Sequence, residues 1–475
     1  MTAAGATTTR VPTPFQRQPR PQIGAVGDSG RHVGDSRSGL RRPVAAARTR
    51  YSLLGPLFIV CLALPLYIYV GPARLSPYRI LLLASLVPLA LIWYSRRAGP
   101  IRLPDVLMLL AALWGALALL ATTGAAGIEP AAVFFVETFG AYLVARVTIR
   151  TYADFYRMVQ TLFWLLAIIV PFAVVEAITD RALLHELLRA IASTAARGGN
   201  EVRYGLHRAS VVFEHPILYG TFCASAFALA YFVIAKSAGP MRRAMRAAVV
   251  AAAALCSMSS APLAAIALQA LLMAWKRAGR GIRHPWRLLA LLAVLAYFTV
   301  DVLSNRQPID VFISYLTFNS QTGYFRMMIW DYGSAEVLRN PIFGIGLGDW
   351  VRPSWMPESV DNFWLLTAMR YGFPGLILFS ASIIVMMANV GKVTFSSFEL
   401  DDARSGLLIS LCGLLIAGCT VHFWDTTYVW LIFLVGSGMW MMDAGSKAPE
   451  DSSADEVQVL PRQRGGRQMA GLRRS

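Results

Sequence analysis

The feature that most constrains this chain is its series of long apolar runs, at about 51–70, 78–95, 104–122, 128–147, 158–177, 211–235, 247–258, 260–275, 288–304, 361–391, 405–423 and 427–442. Most approach the roughly 18 to 25 residues that carry a helix across a bilayer, where each backbone polar group must be bonded within its own segment. A water-soluble core has no room for this much apolar surface when 56% of residues are hydrophobic and 15% charged. The fold class expected is all-α: a polytopic membrane protein of about twelve transmembrane helices over residues 51–442. Residues 1–50 carry nine arginines and two aspartates among Gly, Pro, Ser and Thr. They read as a disordered tail, too long and polar for the leading part of a signal peptide. Residues 443–475 read as a second tail. Cys61, Cys223, Cys256, Cys412 and Cys419 all fall in apolar runs without metal-like spacing, which suits packing.

Orientation follows from basic residues in the loops. Arg96, Arg97 and Arg102 mark one cytoplasmic loop, and Arg146, Arg150 and Arg157 a second. Lys236, Arg242, Arg243 and Arg246 mark a third, and Lys276, Arg277, Arg280, Arg283 and Arg287 a fourth. The net charge of +17, from 44 basic and 27 acidic residues, therefore reads as topology and not as affinity for nucleic acid. Only one apolar stretch, Ala247 to Trp275, separates the third and fourth loops. It must be a hairpin turning near Ser257–Pro262, with the proline in the first turn of the second helix. Both termini are then cytoplasmic, and two long loops, 178–210 and 305–360, are periplasmic.

Both long loops carry arginines outside the membrane: Arg181, Arg189, Arg197, Arg203 and Arg208 in the first, and Arg306, Arg326, Arg339 and Arg352 in the second. Leu183, Leu184, Leu187, Leu188 and Ile191 recur at helical spacing and suggest a short helix on the outer surface. Glu137, in the middle of an apolar run, must face protein or water, with a hydrogen bond between helices as its role.

Three motifs lie on this outer side. Asp361-Asn362 is followed by Gly372-Phe373-Pro374-Gly375. Arg326 and Trp330 precede Asn340-Pro341-Ile342-Phe343-Gly344-Ile345-Gly346-Leu347-Gly348. Phe213-Glu214-His215-Pro216 follows Arg208. In order and spacing they resemble the O-antigen ligase and Wzy-type polysaccharide polymerase superfamily, over about Arg203 to Gly375. The sequence departs from the family pattern in two places. Asp361 stands where most members have His, and Ser259-Ser260 lacks the Arg of the usual Ser-Arg-Gly. The Asp-Asn-Phe-Trp form looks like exopolysaccharide polymerases.

The resemblance implies an inner-membrane glycosyltransferase whose donor is a glycan on undecaprenyl pyrophosphate. An acceptor hydroxyl attacks the anomeric carbon and lipid pyrophosphate leaves. Its charge at the edge of a low-dielectric slab is the main barrier, and arginine offers a permanently charged fork to phosphate oxygens. This chemistry calls for no cofactor or metal. The catalytic candidates are Arg208, Arg326, Asp361, Glu214 and His215. Arg203, Arg339, Asn362 and Trp330 are candidates for substrate binding. Asp361 either takes the hydroxyl proton or only orients the hydroxyl, and capping its helix is its structural alternative. Partners are the lipid-linked oligosaccharide, membrane lipid and other polysaccharide export components. Ligation of a finished glycan to lipid A core or a protein shares these motifs. A transporter would show inverted repeats or several ionisable residues at mid-membrane; no convincing repeat is visible, and Glu137 is nearly alone there.

Overall fold

A computed structural model describes residues 53–71, 73–190, 193–194, 201–234, 239–304, 311 and 320–445. The tail at 1–50, nearly all of that at 443–475, and Ile191, Arg197, Lys236 and Arg306 lie outside the described residues. Among the described residues, seven segments are long and apolar enough to cross a membrane: Pro77–Tyr94, Leu103–Thr148, Tyr152–Thr179, Pro216–Ile234, Pro285–Leu303, Phe363–Lys392 and Asp425–Ala444. The count falls below twelve for physical reasons. Leu103–Thr148 holds two of the sequence runs. It folds back at Gly124–Gly127, where Gly124 takes φ +62°, and seats the Phe134 ring on Gly115. The stretch from Ala247 to Trp275 divides, as the charges require, into helices Pro240–Leu255 and Ser260–Ala278. Phe398–Ala417 opens on the charged residues Glu399, Asp401, Asp402 and Arg404, which shorten its apolar part.

The first run is a correction. Residues 51–70 do not form a membrane-length helix: the helix covers Leu54–Leu62, about 13 Å at 1.5 Å per residue. Pro65 ends it, because the residue before a proline is pushed out of the helical region. The following Leu66–Val70, rich in aromatic and β-branched residues, forms a strand instead. It pairs antiparallel with Ala73–Leu75 (Ile68 opposite Leu75) and, on its other edge, with Ser193–Thr194. A second ribbon joins Val202–Arg203 to Leu206–His207. The fold is mostly helical, with these short strands at one end.

Polar contacts sort the connections into two sets. In one, Arg102 binds Asp443 (2.7 Å), buried Arg146 binds Asp105 (3.1 Å), Lys276 binds Asp401 (2.8 Å) and Arg243 binds Asp402 (2.7 Å). In the other, Arg74 binds Glu214 (3.3 Å) and Asp425 (3.2 Å), Arg203 donates to the Met258 carbonyl (3.2 Å), and Gly346 lies against Thr122. The first set falls in the loops that the basic residues mark as one side in the sequence, and the second set falls in the loops between them.

Two buried polar groups between the ends, Gln269 and Glu137, are bonded, as a lipid environment favours. Pro216–Ser225 breaks near Ala226, and Gln269 bridges the break by donating to the Ala224 carbonyl (2.8 Å) and accepting from Ala228 N–H (3.1 Å). Glu137 lies in a π-helical turn, Val136–Gly140, and accepts from Tyr78 Oη (2.8 Å) and Arg79 Nε (2.7 Å). The helix-to-helix bond expected of Glu137 is present. The amphipathic segment forms a helix over Leu183–Arg189, with Leu187 outward and His185 buried.

Candidate active site

The ribbon of residues 202–207 turns at Gly205 (φ +79°) and carries two arginines onto the turn between Pro240–Leu255 and Ser260–Ala278. Ala209 N–H donates to the Cys256 carbonyl (2.9 Å), and Glu176 accepts from the N–H groups of Ser210 (2.9 Å) and Val211 (3.0 Å), which fixes the loop. Arg208 is buried. Its Nη2 donates to Ser259 Oγ (2.9 Å), its Nη1 to Glu201 (3.0 Å) and its Nε to the Ser257 carbonyl (3.4 Å). Arg203 shares Glu201 at 3.0 Å, and the two cations hold that carboxylate below its ordinary pKa despite partial burial.

Arg326 approaches from the helix Ser320–Arg339. It is 6% exposed, and its Nε and Nη1 have no hydrogen-bond partner among the described residues. Burial pushes its pKa down, partly offset by Asp361. The Asp361 carboxyl is in turn raised by burial and drawn back by Arg326. Arg203, Arg208, Arg326, Asp361 and His215 line one cavity of about 660 Å³. Segments well separated in sequence, around Arg203–Arg208 and Arg326–Asp361, thus bring three guanidiniums and one carboxyl to a single space.

The other candidates sit apart. Glu214 does not line this cavity. It accepts from Tyr67 Oη (2.9 Å) and Trp424 Nε1 (3.2 Å) and pairs with Arg74, inside a network of Arg74, Arg79, Glu137 and Asp425. Arg339 pairs with Glu336 (2.6 Å), which also accepts from Asn340 Nδ2 and Val351 N–H and so ties down the end of its helix. Trp330 packs against an apolar cluster that includes Ile329, Trp350 and Val360. Asn362, not Asp361, caps the next helix: its side chain accepts from Leu365 N–H at 3.0 Å. Asn362→Ala is expected to lower stability by about 1 kcal/mol, measured as thermal unfolding in detergent, whereas Asn362→Asp retains most of it.

His215 also has a defined state. Its Nδ1 accepts from Ile217 N–H (3.2 Å), and burial with the nearby Arg208 pushes its pKa down to about 4. The neutral ring therefore carries its proton on Nε2 and presents a donor.

The glycines of Asn340–Gly348 act through the backbone. Gly372 breaks the helix Phe363–Lys392 with φ +68°. Ile345 and Gly346 N–H groups donate to the Met369 (2.7 Å) and Arg370 (3.1 Å) carbonyls, and Phe373 N–H returns a bond to the Pro341 carbonyl (2.8 Å). A Cβ on Gly344 would meet the Met369 carbonyl oxygen at 2.3 Å. The loop is bolted to the helix break.

Sequence reasoning passed over His422, Glu201 and Tyr204, which line the main cavity together with Trp424. The signal for His422 and Trp424 was their place in a short outer loop between two apolar runs. Phe363 N–H donates to the Gly418 (2.8 Å) and Val421 (3.1 Å) carbonyls, which sets that loop beside Asp361. Among the described residues no group of three His, Cys, Asp or Glu side chains gathers as a metal site.

Residues 245–380 match the family model described as O-Antigen ligase, in agreement with the resemblance to the O-antigen ligase and Wzy-type superfamily. The matched segment includes Ser259, Arg326 and Asp361, and leaves Arg203, Arg208 and His422 outside. A comparison with curated proteins gives no match.

Proposed function

We propose that this multi-pass membrane protein, with its O-antigen ligase segment, is a polysaccharide polymerase. In this reading it joins oligosaccharide repeats carried on undecaprenyl pyrophosphate at the periplasmic face of the bacterial inner membrane. Buried Arg326, with two unpartnered donor nitrogens beside Arg203 and Arg208, is the observation that carries it. A buried cation is costly unless an anion compensates it, and a lipid pyrophosphate supplies charge and acceptor oxygens together. The acceptor oxygen forms its bond to the anomeric carbon as the bond from that carbon to the phosphate oxygen breaks. The departing electron pair stays on pyrophosphate, where preorganised arginines stabilise it most. Residues 51–442 form the transferase domain in this reading, with polar tails at 1–50 and 443–475. Export components sharing the substrate are its expected partners.

Ligation of a finished glycan is the second reading, favoured by the description of the matched family. Deletion of the gene separates them. A polymerase deletion leaves single repeats on the lipid carrier and no long secreted polysaccharide. A ligase deletion leaves long chains on the carrier and lipopolysaccharide without them. Normal secreted polysaccharide and normal lipopolysaccharide in the deletion strain would refute both.

A further inference from the structure

We propose that His422 takes the proton of the acceptor hydroxyl as the new glycosidic bond forms, an assignment that rests on the glycosyl-transfer reading above. Two smaller cavities adjoin the arginine-lined one. One, of about 170 Å³, lies among Phe134, Glu137, Arg370, Tyr371 and Tyr428. The other, of about 390 Å³, lies along Ile345–Trp350 and Glu358. His422 lines all three. A reaction that joins two bulky chains needs its proton acceptor where the spaces for them meet, and the His422 ring stands at that junction.

The alternatives are committed elsewhere. His215 presents a donor. Glu214 is held by Tyr67, Trp424 and Arg74. The pKa of Asp361 is raised by burial, but its carboxylate is electrostatically paired with the Arg326 charge, and that pairing holds it in place to orient the hydroxyl. The His422 ring lies 5.3 Å from Trp424, and no hydrogen bond among the described residues ties up its nitrogens. Burial and the charge of Arg370 push its pKa down to about 3, so the imidazole is neutral. The charged groups around these cavities are Arg203, Arg208, Arg326 and Arg370, opposed by Glu201, Asp361, Glu137, Asp425, Asp349 and Glu358, with His215, Tyr204, Tyr371 and Tyr428 neutral. A pyrophosphate among the arginines offsets the positive field and raises the basicity of His422, so the base strengthens once donor is bound. In the step itself, the hydroxyl proton moves to a ring nitrogen of His422 and the hydroxyl oxygen bonds the anomeric carbon. Pyrophosphate leaves as the anion, and the imidazolium then releases its proton to water.

The test uses the full-length protein in lipid nanodiscs, with lipid-linked glycan extracted from the deletion strain as donor. Wild-type protein transferring from that donor upholds the function on which the proposal rests; wild-type protein that transfers nothing from it refutes that function instead. His422→Ala is expected to slow transfer by about 100-fold or more at unchanged thermal stability, and added imidazole is expected to restore part of the rate. His422→Gln, which fills the space without an imidazole, stays slow with or without imidazole. A His422→Ala variant as fast as wild type, or a loss that imidazole does not relieve, overturns the assignment.

Discussion

Arg326→Ala is expected to slow transfer by about 30- to 1000-fold, the 2 to 4 kcal/mol or so that one charge-assisted contact to a leaving group contributes. Arg326→Lys is expected to recover little, because an ammonium lacks the planar fork. Arg208 has Ser257, Ser259 and Glu201 as partners, whereas Arg326 leaves two buried nitrogens without any among the described residues. This difference carries a second expectation. A buried cation without full hydrogen bonding costs stability, so a hydrophobic residue of similar length relieves the protein of it. Arg326→Met should unfold at a higher temperature than wild type while losing activity. Initial rates on lipid-linked donor and thermal unfolding of the same preparations check both. An inactive variant that is also less stable would assign Arg326 to the fold and not to the substrate.

Gly372→Ala is expected to cost about 3 kcal/mol or more, a large effect for one methyl group. Its φ of +68° and ψ of −178° fall in a region that is essentially confined to glycine. The added Cβ would also stand 2.0 Å from the Ile342 carbonyl oxygen and 2.7 Å from that of Pro341. These are backbone atoms of the docked loop and have no side-chain freedom with which to yield. The loop must lift, which breaks the bonds from Ile345, Gly346 and Phe373 N–H. Limited proteolysis within 340–360 and thermal unfolding read the result. Gly348→Ala is the control. Gly348 is not among the positive-φ residues, and its nearest contact is 3.0 Å. Equal damage from both substitutions would show that the docking is not the cause.

Legibility in the sequence followed the range of the forces involved. Long apolar runs and basic loops act through the bilayer over whole segments, so most helices and the hairpin at Cys256–Ser259 could be read directly. The failure at 51–70 was local: Pro65 is one residue inside an apolar run, and apolarity alone does not distinguish a strand from a helix. Arg203, Arg208, Arg326 and Asp361 were readable as candidates from their motifs, while their meeting in one cavity depends on tertiary contacts. Two features were beyond such reasoning. Asp361 and Asn362 are both good cap residues, and only the backbone geometry decides which one caps. Glu201 and His422 reach the cavity through tertiary contacts, which leave no periodic trace. Arg339 is the reverse case: its partner Glu336 stands three residues before it on the same helix, and the pair was visible as a helical ion pair.

The stretch from the Asn362 cap to the Gly372 break works as a ruler. Ten helical steps set these points about 15 Å apart along the axis. One end is held by the Phe363 contacts to Gly418 and Val421, and the other by the loop at Pro341–Gly346. Adding or removing one residue between them changes the length by only about 1.5 Å but rotates one end by about 100° relative to the other. With the lower end held, Asp361 would swing away from Arg326 although every side chain of the site remained. The interval between Asn362 and Gly372 is therefore a phase requirement, and substitutions within it are expected to be far better tolerated than any change in its length.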